Sequence, residues 1–132
     1  MMIAVEGFKN KSVIVTGAGS GIGRAAAIEC ARQGAKVLVA ELNEKTAASV
    51  VDEIRAFGGT ATAVTGDMSD QVVVEKVVNT AITAHGGLDV LVNIAGIMDS
   101  MSANDEVSVE EWDRVIRVNL TAPFLLSRAV CA

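Results

Sequence analysis

The sequence predicts an α/β fold: a doubly wound parallel sheet, strand order 3-2-1-4, with helices on both faces. Three observations predict it. Strand and helix patterns alternate four times with short links, which suits parallel strands joined by crossover helices. The strand runs are continuous in Val, Ile, Leu and Ala, as strands buried on both faces must be. A glycine-rich turn, Gly17 to Gly23, joins the first strand to the first helix, and right-handed crossovers then favour this strand order.

Each element has its own signal. Val13 to Val15 form the first strand, and Ile22 to Gln33 the first helix, closed by Gly34. Val37 to Ala40 form the second strand. Asn43 caps a helix that runs to about Phe57 and breaks at Gly58-Gly59. Thr60 to Thr65 form the third strand, ending at Gly66-Asp67. Ser69 or Asp70 opens a third helix with Val73, Val77, Ala81 and Ala84 on one face, ended by Gly86-Gly87. Val90 to Val92 form the fourth strand. A polar loop, Met98 to Val107, leads to a last helix, where Ser108 and Glu111 have capping-box spacing. Trp112, Val115, Ile116, Asn119 and Leu126 form its stripe, with Trp112 expected to pack against neighbouring elements.

Composition narrows the function. The chain has 132 residues, enough for one domain over 1–132, and is 51% hydrophobic. The net charge is -5 and no block of Lys or Arg occurs, which disfavours nucleic acid. No window approaches the ~18 apolar residues of a membrane helix, and Met1 to Gly7 lacks the pattern of a leader. Cys30 and Cys131 stand far apart and read as buried free thiols rather than metal ligands or a disulfide framework. His85, at a helix end, suits the dipole as a cation and has no partners at metal spacing. No metal is expected, and the location expected is cytoplasmic.

Ligands of a doubly wound sheet lie beyond the carboxyl ends of the strands. The glycine turn aims the first helix's orphan N–H groups and positive dipole end at an anion. Glu41 follows the second strand, close to the roughly 20-residue distance at which an acid bonds adenosine ribose hydroxyls. A carboxylate there repels a 2′-phosphate, and Ser20 offers no cation, so NAD is expected over NADP. After the third strand stands Asp67, which also suits the next helix dipole. In the last helix, Pro123 lacks the N–H that would bond the Asn119 carbonyl, so a kink is expected there. Asn119 then serves either that carbonyl's chemistry or simply the backbone at the kink.

Thr16, Gly17, Gly21 and Gly23 satisfy T-G-x-x-x-G-x-G, and Asn93, Ala95 and Gly96 match Asn-Asn-Ala-Gly with Ile94 in the second slot. With Val118-Asn119-Leu120, these motifs make the chain from about Lys11 to Ala132 resemble the short-chain dehydrogenases/reductases, a Rossmann-type family. The resemblance implies a nicotinamide cofactor held by Gly17, Gly19, Ser20, Gly21, Ile22 and Gly23. It implies that Asp67, with Met68 beside it, meets the adenine amino group. Asn93, Ala95 and Gly96 would lie along the cofactor, and the Asn119 carbonyl would hold a water of the proton relay. It also implies a homo-oligomer, a dimer or tetramer, built partly through the last helix.

The family's catalytic serine and Tyr-x-x-x-Lys come later in the chain, and this sequence contains no tyrosine. The expectation is therefore an oxidoreductase acting with NAD on an alcohol or carbonyl substrate, present as its cofactor-binding portion with the C-terminal part of the fold missing. The alternatives are an NAD-binding module without chemistry, or an assembly protein pairing through the Val90 to Val92 edge.

Overall fold

In the computed structural model, which describes residues 6–132, a short 3-10 turn (Glu6–Phe8) precedes the sheet. The leader reading of Met1 to Gly7 falls mostly outside the described residues. The elements are β1 (Ser12–Thr16), α1 (Gly21–Arg32), β2 (Lys36–Glu41), α2 (Glu44–Ala56), β3 (Thr60–Thr65), α3 (Gln71–His85), β4 (Val90–Val92), α4 (Val109–Ile116) and α5 (Ala122–Val130). A π-helical segment, Arg117–Thr121, joins α4 to α5. All strands are parallel in the order β3-β2-β1-β4.

Strand geometry divides the core into two layers, because successive side chains point to opposite faces. Val13, Val15, Val37 and Val39 meet Ala27 and Ile28 of α1 and Val50 and Ile54 of α2. Ile14, Leu38 and Ala40 meet Val74 and Val77 of α3 and Ala122 and Leu126 of α5. The whole of β1 is buried, and β4 is the edge of the described sheet with half-buried residues. Among the described residues no helix is long and apolar enough to cross a membrane.

Helix ends follow local chemistry. Asn43 accepts the N–H groups of Lys45 and Thr46, and Asp70 accepts that of Val72. Gly34 takes the left-handed conformation just past α1, with its N–H on the Ala31 carbonyl. In α3 the buried face is Val74, Val77, Ala81 and His85. The expected stripe needs correcting at one end: Val73 is half-buried and packs against this core, whereas Ala84 is exposed. Cys30 is half-buried, but Cys131 lies beyond the last turn of α5 and is exposed, so the expectation of two buried thiols fails there.

His85 is the larger correction. It is 6% exposed, with Nδ1 3.3 Å from the Ser12 hydroxyl. Among the described residues its Nε2 has no hydrogen-bond partner. Burial, and then the Lys36 ammonium, pull its pKa below the usual 6.5, so the ring is held neutral rather than cationic. The cation at this helix end is Lys36, whose Nζ donates to the His85 carbonyl at 3.3 Å.

The sign of the linkage follows. The unfolded chain takes up the proton first, so the contribution of His85 is full above about pH 6.5 and is lost as pH falls below it. Urea unfolding at pH 7.5 and 5.5 is expected to show lower stability at pH 5.5, with at most about 1.4 kcal/mol per pH unit from this one group. His85→Phe should flatten that slope. An unchanged slope would show that His85 titrates alike in both states.

Candidate functional site

At the carboxyl end of the sheet, chain leaving β1 and chain leaving β4 meet. Thr16 is buried at the last position of β1, and its Oγ1 accepts the N–H groups of Ile94 (3.0 Å) and Ala95 (3.1 Å). The next residue, Gly17, has φ +63, and a Cβ there would stand 2.8 Å from the Ala95 Cα. A Cβ on Gly23 would lie 1.9 Å from the Gly17 carbonyl oxygen. No side chain fits at either position without moving backbone, so α1 begins pressed against its own turn. Ser20 is the N-cap of α1, but its side chain makes no cap hydrogen bond and the first turn holds no acid. The leading N–H groups of α1 thus face outward without a side-chain acceptor.

Gly17, Ser20, Gly23, Ile94 and Ala95 line a groove of about 470 Å³ that runs across the strand ends, with Thr16 buried beneath it. Glu41, Leu42, Asp67 and Met68 form one end, over β2 and β3. The β1 turn and α1 form the middle, and Ile94 to Ile97 form the other end, over β4. Glu41 is firmly placed. Its Oε2 accepts the Gly19 N–H at 2.7 Å, and its Oε1 accepts those of Leu42 (3.1 Å) and Asn43 (3.3 Å). Asp67 accepts from the Ser69 hydroxyl and N–H. Those two bonds, and then the charge of Arg117, hold its carboxyl below the usual carboxylate range, so it is ionised at neutral pH.

Of the residues singled out in the sequence, Gly17, Ser20, Gly21, Ile22, Gly23, Glu41, Asp67, Met68, Ala95 and Gly96 all line this groove. Gly19 and Asn93 do not. Gly19 is buried beneath the Glu41 and Thr46 side chains, and its contribution is the N–H that anchors Glu41. Asn93 is exposed just past β4. Asn119 sits beside the groove, between Val118 and Ala122, which do line it along part of the wall. Its Oδ1 accepts the Ile97 N–H and its Nδ2 donates to the Ile97 carbonyl, both at 2.8 Å.

Pro123 explains the irregular helix here. It supplies no N–H to the Asn119 carbonyl, and the ladder shifts to a wider turn in which the Ala122 N–H bonds the Arg117 carbonyl. Two expectations for α4 need correction. Trp112 is 62% exposed, because α4 packs along the loop that precedes it rather than under another element. The capping box is half made: the Ser108 hydroxyl accepts the Glu111 N–H, while the Glu111 carboxylate bonds Ser100 instead.

The Thr16 hydroxyl, which ties the two loops together, is not distinguished by the sequence pattern alone. Thr16 heads the glycine motif, but its acceptor role depends on β4 lying alongside.

Comparison with known proteins agrees with this geometry. A family model described as short chain dehydrogenase matches residues 11–132. The chain is 42% identical over 117 residues to a cyclohexanol dehydrogenase of Acinetobacter sp. (strain SE19), covering 89% of this chain and 47% of that protein. A dehydrogenase/reductase from Sinorhizobium meliloti 1021 superimposes with a TM-score of 0.91 at 37% identity, over 97% of this chain and 51% of that one. A short chain dehydrogenase from Burkholderia cenocepacia J2315, in complex with NADP, gives 0.88 at 36% identity, over 94% and 51%. The chain therefore spans about half the length of each.

Thr16→Val keeps the shape and removes the hydroxyl, leaving two backbone N–H groups without their acceptor. A loss of roughly 2–4 kcal/mol in guanidinium unfolding is expected, from the cost of unsatisfied donors. A loss below about 0.5 kcal/mol, within the range of a neutral substitution, would mean that other groups hold the β4 loop.

Proposed function

The chain belongs to the short-chain dehydrogenase family, and on that premise we propose that it binds NAD, as the cofactor-binding portion of an enzyme that moves a hydride between NAD and an alcohol or carbonyl carbon. The observation that carries this reading is the pairing, in one groove, of an uncapped helix amino terminus with a fixed carboxylate. The glycine cradle fits a pyrophosphate, since a Cβ on Gly17 or Gly23 would fill the space that brings backbone N–H groups forward.

The residues divide the work by position. Gly21, Ile22 and Gly23 present N–H groups to the phosphates. Glu41 already accepts three N–H bonds, and a carboxylate has about four lone-pair sites, so it retains room for a ribose hydroxyl. Its charge opposes a 2′-phosphate, and among the described residues that line the groove there is no Lys or Arg to offset it. Asp67 and Met68 bound the adenine end; Ala95 and Gly96 bring backbone along the far half. Bound nicotinamide supplies the hydride acceptor and donor. Asn119 has a carbonyl that Pro123 leaves without its usual donor, which suits holding a water for proton transfer.

The same reading includes a single domain and a homo-oligomer, dimer or tetramer, built partly through the last helix. Exposed Trp112, Leu120 and Phe124 support the latter. The free thiols accord with a cytoplasmic setting.

Calorimetric titration of the unaltered chain is expected to show tighter binding of NAD than of NADP. Glu41→Gln keeps an acceptor for the Gly19 N–H and removes the charge. It should weaken NAD roughly tenfold, the scale of one charge-assisted hydrogen bond, and improve NADP. Equal affinities for the two cofactors in the unaltered chain would sink the NAD assignment.

A further inference from the structure

The segment that leaves the groove, residues 97–100, is gripped from the last helical run at both ends. Asn119 holds Ile97 through its N–H and its carbonyl. Glu111 holds Ser100: one carboxylate oxygen accepts the Ser100 N–H, and the other accepts the Ser100 hydroxyl at 3.1 Å. The two helical residues stand about two turns apart, so the segment lies along the helix rather than across it. Only Met98 and Asp99 lie between the two grips, and Asp99 is turned to the Met101 N–H at 3.0 Å.

A glutamate three residues after a serine N-cap ordinarily closes back on its own helix terminus. Here the Ser108 half of that exchange forms, and the carboxylate goes to the loop instead. The Ser100 hydroxyl, and then its N–H, hold the Glu111 carboxyl below the usual carboxylate range, so the acceptor is charged at neutral pH. Two bonds to one residue set direction as well as distance.

The strand order says which end of the groove this affects. With Glu41 and Asp67 over β2 and β3 and the pyrophosphate cradle at β1, the end over β4 takes the nicotinamide half of the cofactor. Ile97 belongs to that end. We propose that Glu111 is a positioning residue for the nicotinamide end of the groove, setting the 97–100 segment and, through Ile97, the wall against which the nicotinamide half lies. This rests on the dinucleotide reading given above.

The test compares NADH with ADP-ribose, which lacks the nicotinamide, on the full chain. Glu111→Ala is expected to lose roughly fivefold in NADH affinity, the scale of one lost hydrogen bond, with ADP-ribose affinity unchanged. Glu111→Gln can still accept the Ser100 N–H and can donate to its hydroxyl, so it should restore most of the loss. Ser100→Ala, which removes only the side-chain contact, serves if Glu111→Ala does not fold, and should lose about twofold for NADH alone. Equal losses for both ligands, or none, would overturn the positioning role and leave the dinucleotide reading intact. Failure of the unaltered chain to bind either ligand would overturn both.

Discussion

The groove depends on one hydroxyl. In the parallel sheet β1 and β4 run side by side, but the chain leaving β1 passes to one face and the chain leaving β4 to the other. That divergence opens the crevice where ligands bind. It also leaves the N–H groups of Ile94 and Ala95 beyond the end of the ladder. Thr16 Oγ1 accepts both, and the absence of a side chain on Gly17 lets Ala95 come down onto it. The two loops then behave as one floor, and the outward N–H groups of α1 acquire a fixed opposite wall.

Charge is arranged along this floor rather than spread over the molecule. The chain is acidic overall, at -5, yet an anion can be held because partial positive charge collects at the start of α1. The carboxylates at the far end are constrained. Glu41 is tied to Gly19, Leu42 and Asn43, and Asp67 to Ser69. A carboxylate with its rotamers already restricted loses little entropy on meeting a hydroxyl, so a modest number of contacts can discriminate between ligands. The link between Glu41 and Gly19 also couples two parts of this floor: the carboxylate at the end of β2 is hydrogen-bonded to the glycine turn that follows β1.

The last helical run adds the third wall by giving up regularity. Pro123 removes one backbone donor, the ladder widens between Arg117 and Thr121, and Asn119 turns its amide onto Ile97. Glu111, in the first turn of α4, bonds Ser100 in place of its own terminus. Both residues hold the loop that follows β4, so that loop's path is set by helix side chains as much as by the sheet.

Local pattern alone specified much of this molecule. The apolar runs at β1 and β2, the caps Asn43, Asp70 and Ser108, and the glycines at 34 and 86 set element order and ends, because each acts within a few residues of itself. The alternation of elements set the 3-2-1-4 order, and reading the strand ends assembled most of the groove. What the sequence could not determine was which groups meet across elements. His85 looks like a helix-end cation until Ser12 and Lys36 enclose it. Glu111 looks like a capping-box residue until Ser100 arrives; Gly19 looks like part of the cradle until Glu41 covers it. Periodicity encodes the face a side chain takes, whereas the partner on that face is decided only when the sheet brings distant segments together.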